Sequence, residues 1–437
     1  MSGEPVDLSV AETASVLRSV IAPFVAQGAI VRRPRATAWA ERHQTDRGAR
    51  EVLAALRARY DGAPLSMRLG PRRMVVVTRP DQVRRLLQGS PDPYSPASLE
   101  KRGALKHFQP DGVLVSGHDE RRVRRPLNEA ALDADQAVHR NGRTVVDTVE
   151  RGARELENQV RATGGLDAQQ FARTWWSMVL EIVFGERARD DLGLVDLLDR
   201  LKRDANWSGL HPRRTRRRAE LEQRIATHVR EAAPDSLAGV GREVDAGAVA
   251  GQVPHWLFAF DAAAATTLRA LAVATARQEV RERLRDELAS ADPEGPPAVL
   301  PYARACALEA VRLWPTTFAV LRDSVRATDW DGRTLPAGTG FVVVSSFFHR
   351  DPQRLDVADR FVPEVWLDGR ADEDWGLVPF SGGPASCPGR NLVLLVTSHL
   401  LVRLAGLDLR VQRARYLADD PVPATVDHLG VVFRGRR

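Results

Sequence analysis

The stretch Phe380-Ser-Gly-Gly383-Pro-Ala-Ser-Cys387-Pro-Gly389 sets one cysteine in a glycine-rich loop that runs straight into an apolar helix, expected from about Asn391 to Leu404. A sulfur just ahead of a helix start lies near free backbone N–H groups and the positive end of the helix dipole, which favours thiolate over thiol. Pro388 suits a first helical turn, where its missing N–H has no partner. Gly383 and Gly389 let the backbone take φ > 0 or lie flat against a large planar group, beside which Phe380 could pack. An isolated cysteine is more often a small buried hydrophobe beside a turn. Here the whole spacing, Phe-x-x-Gly-x-x-x-Cys-x-Gly, argues against that reading. The other cysteine, Cys306, reads as core packing, and two cysteines are too few for a disulfide framework.

Working upstream, Tyr302 to Trp314 reads as an amphipathic helix stopped by Pro315. It carries Glu309 and Arg312 at i, i+3, ordinarily a surface pair worth a few tenths of a kcal/mol. Trp256 to Thr267 reads as a helix whose four consecutive small residues, Ala262 to Ala265, suit close passage over a flat ligand or against another helix. The alternating Leu65–Leu69, the turn at Gly70-Pro71 and the β-branched Met74–Thr78 predict a hairpin, followed by a short helix from Pro80 through Leu87. An Ala/Leu/Arg helix precedes it over Arg47–Arg59. From Gln88 to Val115 the chain predicts mostly loop, and from there to Leu288 long amphipathic helices. Strands return after Asp329, around turns at Asp331-Gly332 and Pro336-Ala337-Gly338. The fold class is mainly α with small β-sheets (α+β): β-rich parts at about 60–80 and 325–346, and a helical part at about 118–315.

Length permits about three domains or one large one. Of the 437 residues 43% are hydrophobic and 27% charged, which excludes a disordered, collagen-like or coiled-coil chain. Sixty-three basic against 57 acidic residues leave +6, which suits an acidic protein partner better than nucleic acid. Aromatic residues do not interleave with the arginine clusters, and the run from Arg213 to Arg218 reads as a solvated face, so no nucleic-acid partner is expected. No stretch reaches the roughly 18 apolar residues of a membrane span. Nor does the N-terminus carry a signal-peptide pattern, so a cytoplasmic location without membrane association is expected.

The cysteine loop resembles the haem-binding loop of the cytochrome P450 family. Glu309-Ala-Val-Arg312, about 75 residues before it, and Pro363-Glu364-Val365-Trp366 resemble that family's Glu-x-x-Arg helix and the meander leading to the loop. Gly117 through Arg125 is similar to the segment in which a basic residue reaches a haem propionate. The matches run in family order from Leu65 to the C-terminus. The resemblance implies a single large domain, 1–437, with haem b (iron protoporphyrin IX) between a distal long helix and the loop at 380–389. It implies Cys387 as the iron ligand, Arg124 and Arg322 on the propionates, Phe380, Gly383 and Gly389 around the haem, and Glu309 with Arg312 as a structural pair. Thr266 and Asp261 are the expected proton-delivery residues, and Phe258, Ala262, Thr317, Phe318 and Val320 the expected pocket. Further pocket candidates are Ser95–Val115, Trp175, Trp176 and the region near Trp207.

Some positions depart from the pattern. Most relatives carry an acid before the threonine of the distal helix; here it is Ala265, with Asp261 one turn earlier. Ala385 stands where a propionate-binding His or Arg is common, Glu120 replaces a usual histidine, and Val365 replaces an arginine of the meander. The implied function is a haem-thiolate oxidoreductase. The leading form is a monooxygenase acting on a small apolar metabolite of secondary metabolism, with O2 and electrons from a separate ferredoxin or flavodoxin. A reaction without oxygen insertion (coupling, desaturation, rearrangement or peroxide-driven oxidation) and a non-catalytic haem sensor or carrier are the alternatives.

Overall fold

The computed structural model describes residues 3–207, 210–292, 294–413 and 415–435, so the outermost residues of the expected 1–437 domain lie outside the described residues. Helices dominate between His118 and Leu313, and eleven short strands form three sheets among the described residues. In chain order the strands are β1 Val6–Asp7, β2 Leu65–Leu69, β3 Arg72–Val76, β4 Tyr94–Ser95, β5 Gly165–Asp167, β6 Ala319–Ser324, β7 Thr328–Trp330, β8 Arg333–Leu335, β9 Gly340–Val344, β10 Leu409–Val411 and β11 Val432–Gly435. The main sheet has the order β1-β2-β3-β9-β6-β4. Its hairpin pairs Leu65 with Val76 and Leu69 with Arg72, and β3 then runs parallel to β9.

Two hydrophobic cores support this arrangement. One unites the helices around Trp175, Trp256, Phe260 and Phe171; the other packs the main sheet around Phe341, Trp330 and Leu65. The first core is built by helices apolar on most sides, above all the long helix Val249–Ala276. That helix has the length and apolarity to cross a membrane, contrary to the sequence expectation that no segment qualifies, yet 72% of its apolar window is buried inside the protein. A helix apolar all round is what a large soluble core also requires.

Sequence and structure differ in two places. The segment Gln88–Val115, expected as loop, contains the helix Leu99–Leu105, started by the Ser98 hydroxyl accepting the Lys101 N–H. The β-rich C-terminal part begins at Ala319 instead of 325, because β6 pairs antiparallel with β9 across the Thr328–Leu335 hairpin. Apolar and charged residues alternate irregularly in β6, since both faces are covered.

Candidate functional site

The cysteine loop is built by local backbone hydrogen bonds. The Cys387 N–H donates to the Phe380 carbonyl at 2.9 Å, Ser386 N–H to Gly383, and Ser381 N–H to Val378. Gly383 sits at φ +64°, and a Cβ there would lie 2.2 Å from the Leu87 carbonyl oxygen on helix Pro80–Gln88, so only glycine fits. Gly389 has no such constraint: its φ is −88°, and an added Cβ would meet only Leu132 and the Cys387 sulfur at 3.8 and 4.0 Å. What its missing side chain does is leave room beside the sulfur. The helix that follows spans Arg390–Gly406. Phe380 packs against the small cluster of Ala307, Leu308 and Leu394, as does Trp366.

Cys387 is a free thiol. Burial pushes its thiol up, against the lowering influences of the Gly389 N–H and of Arg125 and Arg390. The sequence expectation that the helix start favours the thiolate is therefore overridden: desolvation penalises the anion more than the nearby N–H and guanidinium groups favour it. A metal cation at the sulfur reverses that balance.

Behind the loop, helix Pro301–Leu313 places Glu309 and Arg312 in full burial. The pair is bidentate, at 2.7 and 2.6 Å. Arg312 also donates to the carbonyls of His349, Val357, Ala358 and Arg360, while Glu309 accepts the Val362 N–H and the Trp366 indole N–H. The surface-pair alternative is excluded by this burial. Trp366 and the Val362 amide occupy Glu309 where Val365 cannot, which accounts for the missing meander arginine.

Basic residues converge on the other side of the loop. Arg322, in β6, is 2% exposed and donates only to neutral groups: Ser90 Oγ, Ser381 Oγ and the Leu321 carbonyl. Arg121, on helix His118–Ala131, donates to the Val113 carbonyl. Lys101 donates to the carbonyls of Pro96 and Leu321. Burial lowers all three, Arg121 and Arg322 to about 10 and Lys101 to about 7, helped by repulsion from Arg125 on Arg121, from Arg121 on Arg322, and from both Arg322 and Arg121 on Lys101. His255 of the long helix, held near 4 by burial and these cations, has a buried Nδ1 without a partner. Arg125 ties helix His118–Ala131 to the loop by donating to the Ser386 carbonyl at 2.7 Å.

Arg124, by contrast, turns outward to Asp111 at 2.9 Å, Ser116 and Glu120. It is already paired with carboxylates, whereas Arg121, near Arg322, has no ion-pair partner among the described residues. The difference is helical register: Arg121, Arg125 and Asn128 share the inner face at i, i+4 and i+7.

On the long helix Phe258, Ala262, Ala265 and Thr266 share one face. Phe258 packs edge-on against Phe108, and the Thr266 hydroxyl donates to the Ala262 carbonyl, leaving its lone pairs to accept. Asp261 is not free. Its Oδ2 accepts from Lys202 at 2.6 Å, and Lys202, almost fully buried against Trp176, also reaches Asp199. Burial pushes the Asp261 carboxyl up while Lys202 pulls it down, and the ammonium on its Oδ2 occupies the group expected to deliver protons with Thr266. Of the other pocket candidates, Phe318 stacks on Phe24, Thr317 is exposed, Val320 lies in the second core, Trp175 is core and Trp207 is exposed.

A free thiol with room beside it and a nest of cations lacking any ion-pair partner among the described residues fit a planar metal complex that carries two carboxylates. Without such an anion, Lys101 releases its proton above about 7, whereas an unfolded lysine holds its own to about 10.4. The unfolded chain then binds more protons between these values, so stability of the ligand-free protein should rise with pH across that window. Denaturant midpoints taken with and without the bound group check this; the slope should vanish when the anion is present.

A family model described as Cytochrome P450 matches residues 237–404. The chain is 26% identical over 399 residues to cyclooctat-9-en-7-ol 5-monooxygenase of Streptomyces melanosporofaciens, covering 81% of this chain and 83% of that one. It is 30% identical over 165 residues to the mitochondrial 1,25-dihydroxyvitamin D(3) 24-hydroxylase of Mus musculus, 36% of this chain and 31% of that one. Among solved structures, a zebra fish cytochrome P450 with progesterone superposes with a TM-score of 0.70 at 18% identity, over 89% of this chain and 99% of the other. A cyanobacterial structure with retinoic acid bound gives 0.68 at 17% identity, over 87% and 93%. These two structures share the fold.

Proposed function

We propose that the chain is a haem-dependent oxidoreductase of the cytochrome P450 family and, within it, a monooxygenase that inserts oxygen into a small, largely apolar metabolite. One observation carries the reading: the free Cys387 thiol, with open space at Gly389, sits on a loop that Arg322 reaches through Ser381, and Arg322, Arg121 and Lys101 make no ion pair with a carboxylate among the described residues. Cys387 would hold the iron of haem b, with Arg121, Arg322 and Lys101 on the propionates. Bound there, haem supplies dioxygen activation, and a thiolate ligand favours O–O cleavage.

The chain's own residues then have distinct tasks. Glu309 and Arg312 fix the meander and so the height of the loop. Phe258, Ala262 and Phe318 offer apolar surface to a substrate. Thr266, with its hydroxyl proton committed to Ala262, accepts a hydrogen bond and can pass a proton only if another group supplies it. Electrons would come from a separate ferredoxin or flavodoxin, and exposed Arg122 and Arg390 suit an acidic partner on the Cys387 side. Two free cysteines fit a reducing, cytoplasmic setting, and we read the whole chain as one domain.

Ala265 and the captured Asp261 favour a second reading, in which oxygen is not inserted and coupling, desaturation or another oxidation occurs. Turnover with a surrogate ferredoxin, its reductase and isotopically labelled dioxygen separates the two. One labelled atom in the product supports insertion; a product formed without label establishes the second reading. In the same assay, Ala265→Glu should lower the fraction of reducing equivalents lost as peroxide by roughly two- to tenfold, since a positioned acid speeds proton delivery. No change would show that the acid–alcohol pair is not what this chain lacks.

A further inference from the structure

One turn beyond Thr266, the same face of the long helix carries Arg269. Arg269 is buried; it donates to the Trp314 carbonyl at 2.8 Å and to His428 Nδ1 at 3.3 Å, while its Nε has no partner. It borders a cavity of about 40 Å³ that is also lined by Arg32, Asp46, Ser346 and Phe318. The Ser346 hydroxyl is buried without a partner. Arg32 donates to the carbonyls of Gly28 and Thr316, with its guanidinium 5.5 Å over Phe24. Neither arginine makes an ion pair with a carboxylate among the described residues, and Asp46 acts on both only at longer range.

A buried cation without a counter-ion is costly, and an unpartnered donor beside it adds to that cost. The guanidinium groups of Arg32, Arg50, Arg269 and Arg350 surround Asp46, and Asp359 holds Arg50 and Arg350, which leaves Arg32 and Arg269 to share Asp46 without an ion-pair contact to it. The cavity suits a group the size of a carboxylate, since a single water needs only about 10–15 Å³ on the same measure. Its apolar side is Phe318, stacked on Phe24 at 4.3 Å, with Trp314 and Pro315 beside them.

We propose that this chamber binds the carboxylate of an apolar monocarboxylic acid between Arg32 and Arg269, with Ser346 as a third donor. The substrate class follows: an acid whose apolar body runs back along the Thr266 face toward Cys387. The oxidation of that acid rests on the function proposed above; the binding site stands on the chamber alone.

The test is calorimetric titration of the holoprotein with octanoate, dodecanoate and hexadecanoate, each beside its methyl ester. At least one acid should bind about tenfold or more tighter than its ester, the worth of one charged hydrogen-bonded contact. Arg32→Gln should erase that preference, and Asp46→Asn, which removes the competing charge, should widen it. Opposite effects of the two substitutions are not what a damaged fold would produce. Acids and esters binding alike, no acid binding, or a preference that survives Arg32→Gln would each overturn the proposal. So would acetate binding as tightly as the long acids, which would make this a site for free small anions. Haem ligation is read separately from the absorption spectrum, so either claim can fail without the other.

Discussion

Arg312→Leu should destabilise the protein by about 3–5 kcal/mol, the cost of stranding one partner of a buried ion pair. Its guanidinium holds Glu309 on two sides and four carbonyls of the segment His349–Arg360 on the others. Leucine matches the volume of the stem but leaves Glu309 without its cation in a site with no exposure, and leaves those carbonyls without a donor. Lysine is no rescue, because a single ammonium cannot span a bidentate carboxylate and several carbonyls at once. The double change Glu309→Gln with Arg312→Leu should cost clearly less than the sum of the single ones, since the coupling between the two is then removed from both. Denaturant midpoints at neutral pH read all of these. A loss under about 1 kcal/mol for Arg312→Leu, the worth of an exposed pair, would show that the meander does not depend on it.

Arg322→Leu should weaken haem retention by roughly 10- to 100-fold, as expected for deleting a charge-assisted hydrogen bond to a buried carboxylate. The same substitution should not harm the haem-free protein to a comparable degree. There Arg322 has only neutral partners and repels Arg121 and Lys101, so removing it relieves the field that depresses Lys101. Haem transfer to an acceptor protein measures the first effect and unfolding of the stripped protein the second. Equal losses in both forms would make Arg322 a plain packing residue. Arg124→Leu is the contrast: paired with Asp111 at the surface, it should change haem retention little.

That contrast marks where the sequence stops being legible. The cysteine loop, the Glu309 helix ended by Pro315 and the Leu65–Val76 hairpin could be read directly, because each depends on residues within one turn or one hairpin. Arg121 against Arg124 could not be decided by matching segments: both lie in the same run of arginines, and only the rotation of the helix against the loop separates them. Asp261 was visible as the nearest acid, but Lys202 lies 59 positions away, on another helix, and captures it. The helix Leu99–Leu105 hides behind Pro, Ser and Gly residues whose role is to cap and connect it. The chamber around Arg269 is assembled from segments near residues 30, 46, 269, 346 and 425, and no local pattern announces it.

The central claim is that Cys387 ligates haem iron as a thiolate, and the absorption spectrum of the dithionite-reduced protein under carbon monoxide tests it most directly. A strongly red-shifted Soret band, lost in Cys387→Ser while the fold persists, is the result expected here. Protein that takes up no haem, or a band of the imidazole type unchanged by Cys387→Ser, would contradict it.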